Sequence, residues 1–115
     1  MGRTNEHEKN SELIDKLEQG ALLKIDSSKE IPEHHKQKTK EFIIANAFSV
    51  RRYLKEIEER GYSLGENFEA DEDLFTKDDD YSFYINRITI HKTRIQEIPG
   101  TLKSDGYRGV VQMHS

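Results

Sequence analysis

The chain has 115 residues, one domain's worth, with a formal net charge of −4 and no cysteine. Leu, Ile, Val and Phe together make about 23% of it, just above the roughly 20% below which a chain fails to build a core. The lack of cysteine excludes disulfides, thiolate metal centres and a Cys nucleophile, and no apolar run approaches the roughly 18–20 residues needed to span a bilayer.

Residues 1–10 carry no apolar side chain after Met1 and read as a flexible tail preceding a single domain over 11–115. They hold neither an apolar signal core nor a myristoylation pattern, so the expected setting is soluble and cytoplasmic. Ser11 is placed to cap a short helix through SELIDKLEQ, ended by Gly20. ALLKI at 21–25 is too short for its periodicity to separate strand from helix, and strand is the expectation.

After a linker at 26–30, Pro32 opens a long helix over about 33–60 that Gly61 ends. On a helical wheel Phe42, Ile43, Ala47, Val50, Tyr53, Leu54 and Ile57 form one core-facing stripe. Ile44 and Phe48 fall to its side, an i,i+4 pair surplus to that stripe. Such a helix is about 42 Å long, more than a compact domain of this size is deep, and its first turns are polar.

From Glu66 to Asp80 eight acidic residues face one lysine, which reads as an acidic loop over 66–80. Residues 81–98, rich in β-branched and aromatic side chains, read as strands, although the alternation slips near Asn86–Arg87. Pro99–Gly100 and Asp105–Gly106 read as turns, and Tyr107–Met113 as a closing strand. The expected fold is therefore α+β: a three- or four-stranded antiparallel sheet on one long helix, with a short N-terminal helix.

Catalytic chemistry finds little support. His34 and His35 are adjacent and point about 100° apart on a helix, so they do not chelate as an i,i+4 pair would. The acidic run has no glycine for a calcium loop. Gly61–Gly65 matches G-x-S-x-G around Ser63, but it follows a helix and enters an acidic loop, the wrong context for a nucleophile elbow. No phosphate-cradling glycine loop appears. The sequence therefore predicts no enzyme, metal or cofactor, and no membrane contact.

The function it points to is a small interaction module, a regulator, inhibitor or assembly component. Its partner is another protein or a second copy of itself. Two surfaces are candidates: Ile44 and Phe48 with the neighbouring Arg51 and Lys55, and the acidic residues Asp71, Asp73, Asp78 and Asp79. The alternative is nucleic-acid binding by the C-terminal sheet, with Arg87, Lys92, Arg94, Lys103 and Arg108 on phosphates and Tyr84 and Tyr107 stacking on bases.

Overall fold

The computed structural model describes residues 2–101, with side chains described over 6–98. It is all-α. Three long helices, α1 (Gly2–Ser27), α2 (Glu33–Glu59) and α4 (Asp79–Thr101), pack side by side. A connection containing a 3-10 turn at Glu66–Phe68 and the short α3 (Glu72–Lys77) joins α2 to α4.

The expected sheet is absent among the described residues, where the only β pairing is an isolated bridge between Leu64 and Ala70. The segment that reads as strands is α4. Its inward positions, Tyr81, Ile85, Ile88, His91, Ile95 and Ile98, recur every three or four residues, a helical stripe. Each β-branched residue costs a helix a few tenths of a kcal/mol. Burying an isoleucine returns about 1.5–3 kcal/mol, so packing overrides local preference. Pro99–Gly100 lies in the last turns of α4 rather than in a β-turn. The expected hairpin at 105–106 and closing strand at 107–113 lie outside the described residues.

At the other end, residues 2–10 form the first turns of α1, which continues unbroken through Gly20 and ALLKI to Ser27. Its inward stripe is disguised by polarity: His7, Asn10, Ile14, Glu18, Ala21 and Ile25 are all buried.

Helix α2 matches the expected long helix, and its stripe of Ile43, Ala47, Val50, Leu54 and Ile57 is buried between α1 and α4. Its length has a simple cause: α1 is equally long, and the bundle is drawn out to 45 × 24 × 18 Å. Nor are its first turns idle. Lys36 is buried, and its Nζ donates to the Asp26 carbonyl of α1 (2.9 Å) and to Glu33 (3.0 Å). At the far end Gly61 takes φ 74°, the left-handed conformation that glycine adopts without strain. The Gly61 N–H donates to Glu58 and the Tyr62 N–H to Ile57, a Schellman closure.

Side-chain bonds fix the register. Arg51 pairs with Asp15 (2.6 Å) and Glu18 (2.5 Å), and Lys40 with Asp26 (2.9 Å). Asp15 to Asp26 and Arg51 to Lys40 are the same number of residues run in opposite directions, so α1 and α2 are antiparallel and in step. Between α2 and α4, His91 Nδ1 meets Asn46 Oδ1 at 2.7 Å. Because Asn46 Nδ2 donates to the Phe42 carbonyl, the oxygen is the accepting atom and Nδ1 carries the proton.

Two polar side chains moor the connection. Asn10, fully buried on α1, donates to the Gly65 carbonyl (2.9 Å) and accepts from the Phe68 N–H (3.1 Å). It holds Phe68 at φ 61°, unusual for a bulky residue. The buried Tyr81 hydroxyl accepts from the Asp71 N–H (2.8 Å) and donates to the Ser63 carbonyl (2.9 Å).

Candidate functional site

The acidic segment, expected as a loop over 66–80, holds the 3-10 turn, α3 and the start of α4. Asp71 caps α3 by accepting from the Leu74 N–H and also accepts from the Ser63 hydroxyl. Asp78 precedes α4, accepting from the Tyr81 N–H (3.1 Å) and the Tyr62 hydroxyl (2.9 Å). These bonds, the backbone one foremost in each case, hold both carboxyls below their ordinary range. Asp73 and Asp79 are exposed in the first turns of α3 and α4, where carboxylates complement the helix dipole. All four acids thus have a local structural duty.

The basic and aromatic candidates on α4 do not converge. Arg87 and Arg94 share one flank, while Lys92 lies on another, its ammonium over the Phe68 ring (5.3 Å). Tyr84 is half-buried, with Arg60 over its ring at 5.4 Å and Tyr53 and Phe83 packed around it, so it offers no free stacking platform. Lys103, Tyr107 and Arg108 lie outside the described residues. Among the described residues no group of three or more His, Cys, Asp or Glu could hold a metal ion.

What remains is the outer face of the α1–α2 pair. Phe48 is 65% exposed and Ile44 46% exposed, an i,i+4 pair on α2. The register set by Asp15–Arg51 and Asp26–Lys40 places a third exposed apolar side chain, Leu23 on α1 (67% exposed), level with Ile43–Ile44 and about 7 Å along the axis from the level of Phe48. The half-buried Leu22 beside it packs on the core, joining this patch to the interior. The sequence alone does not single out Leu23, because the run ALLKI reads as a strand.

The rim of this face is sorted by charge. On α1, Glu8, Glu12, Asp15 and Asp26 all point to it and are exposed, with the uncharged Gln19 between them. On α2 the corresponding flank carries Lys40, Arg51 and Lys55, with Glu41 beside Ile44 and Glu58 beyond Lys55. Arg51 and Lys40 are already engaged by α1 acids, whereas among the described residues Lys55 and Glu12 have no ion pair. Beyond Phe48 the face opens into a groove of about 260 Å³ lined by His7, Glu8, Ser11, Arg51, Leu54, Lys55 and Glu58.

Comparison with known proteins adds no relative: no family model, no curated protein and no solved structure matches the chain. The functional reading therefore rests on the face itself. A smaller apolar pair, Phe83 (52% exposed) and Ile90 (40%), lies on the far side of the bundle along α4. Phe83 is in edge contact with Tyr53 and Tyr84 (6.0 and 5.9 Å), so part of its ring is already covered within the chain. No described helix is long and apolar enough to cross a membrane.

Proposed function

We propose that the protein is a small non-enzymatic interaction module of the cytoplasm, a regulator or assembly component, that docks a helical protein partner on its α1–α2 face. The observation that carries this reading is the exposure of Leu23, Ile44 and Phe48 on two adjoining helices. A monomer gains nothing from holding three large apolar side chains in water on neighbouring helices, whereas a partner laid on this face covers them. Covering what is now exposed contributes about 1–2 kcal/mol per side chain. That sum is comparable with the cost of association, so the contact is reversible and leans on the charged rim for specificity.

The test compares capture by immobilised wild type and by Phe48→Glu, after circular dichroism shows that both are equally helical. A protein held by wild type, lost by Phe48→Glu and rebound in purified form supports the reading. If no protein binds in a Phe48-dependent way and the chain does not associate with itself, the reading is wrong. If Phe48→Glu unfolds, Phe48 belongs to the core and the reading is also wrong.

A further inference from the structure

The α1–α2 face carries its own complement, and we infer that its occupant is a second copy of this chain. This rests on the docking reading above and specifies the partner. The α1 half of the face is acidic, with Glu12, Asp15 and Asp26, and the α2 half is basic, with Lys40, Arg51 and Lys55. Lys16, the nearest α1 cation, shares a groove with Glu12 and Glu66 and lines a second beside Ile95, so it lessens the acidity of the α1 half without reversing it. Glu41 on α2 accepts from Gln37 (3.1 Å) and keeps its charge, which lessens the basic character of the α2 half, while Glu58 stands about 15 Å along the helix from Phe48. A face whose two halves have opposite sign matches itself under a two-fold rotation, the commonest symmetry of protein dimers.

Charge also selects the axis. Two face-to-face arrangements exist. An axis lying in the contact plane across the helices stacks α1 on α1 and α2 on α2, acid on acid and base on base. An axis in that plane parallel to the helices stacks α1 of one copy on α2 of the other, with every residue kept at its own level. In step with the Asp15–Arg51 and Asp26–Lys40 pairs, Glu12 then comes close to Lys55 and Leu23 close to Ile44, with Phe48 about 7 Å further along the axis. The apolar residues of both copies meet at the centre and opposite charges meet at the rim. The four helices in contact form an antiparallel bundle, a packing that helices of this length adopt readily. Lys55 and Glu12, which form no ion pair among the described residues of their own chain, acquire one from the second copy.

The chain contains no cysteine, so engineered thiols report cleanly. Leu23→Cys and Ile44→Cys, each at an exposed position, are oxidised separately and after mixing. The expected result is a disulfide-linked dimer that forms rapidly only in the mixture. Linkage of neither variant nor of the mixture, or linkage of Leu23→Cys to itself as fast as in the mixture, overturns the arrangement. In parallel, Lys55→Glu is expected to weaken self-association at least about tenfold, and Glu12→Lys in the same chain to restore it. A double variant no stronger than the single one contradicts the pairing. A wild type that sediments as a monomer up to millimolar concentration removes the second copy as occupant; Phe48-dependent capture of a different protein then leaves the docking reading standing.

Discussion

Asn10→Ala is expected to be among the most damaging single changes in the bundle, although Asn10 is small, polar and close to the start of the chain. In the native chain its amide closes two bonds across a sequence gap of more than fifty residues, to Gly65 O and Phe68 N. The alanine leaves the buried Phe68 N–H without a partner, which costs about 1–3 kcal/mol, and removes a half-buried bond worth about 0.5–1.5 kcal/mol. Together the loss is roughly 2–4 kcal/mol, a large share of the stability of a small domain. Asn10→Asp is no rescue, because it turns a second oxygen toward the Gly65 carbonyl and buries a charge. Urea unfolding followed by circular dichroism measures the loss, and amide exchange at Phe68 locates it. A loss below about 0.5 kcal/mol, or Phe68 exchange unchanged in the variant, refutes the mooring.

Gly20→Ala should stabilise the protein by about 0.5–1 kcal/mol, because Gly20 sits mid-helix and a methyl group there meets no atom within 4 Å; a lower melting temperature would contradict this. Tyr81→Phe should cost about 1–3 kcal/mol in urea unfolding, since it leaves the Asp71 N–H and Ser63 carbonyl without the hydroxyl that joins them. His91 is held neutral in the fold, chiefly by burial and secondarily by Arg87 and Arg94, so its folded pKa lies below the ordinary 6.5. The unfolded chain therefore takes up the proton first. The stability His91 contributes is complete above pH 6.5 and is lost as pH falls from there through the depressed value. Urea midpoints at pH 7.5 and 5.5 should separate more for wild type than for His91→Gln; equal separations would count against a buried neutral imidazole.

How much of this can be read from the chain depends on which residues face inward. Helix α2 is legible because its stripe from Ile43 to Ile57 is apolar apart from Asn46 and is bracketed by Pro32 and Gly61. Helix α1 is only half legible: its periodic positions are occupied by His7, Asn10 and Glu18, which a hydrophobic pattern passes over, and Gly20 reads as a stop although the helix runs through it. Helix α4 reads wrongly as strands because tyrosine, isoleucine and threonine dominate it. The slipped alternation near Asn86–Arg87 is itself the clue, since a core-facing period of three and four residues looks broken when read in twos. The acidic stretch lacks a visible phase: Asp71 and Asp78 each stand three residues before a core or near-core residue, Leu74 and Tyr81, which is the spacing of a helix cap. At the site, Ile44 and Phe48 are visible as a surplus pair, but Leu23 needs the α1–α2 register, which exists only in three dimensions.

Whether Leu23, Ile44 and Phe48 form a surface on which a second copy of the chain docks is decided by mass against concentration. Sedimentation of wild type and of the triple variant Leu23→Gln, Ile44→Gln, Phe48→Gln would be compared from micromolar to millimolar protein. Wild type is expected to climb from the 13.5 kDa of one chain toward twice that mass, while the equally helical variant stays at one chain. Equal masses for the two proteins across the whole range would contradict the docking of a second copy on this face.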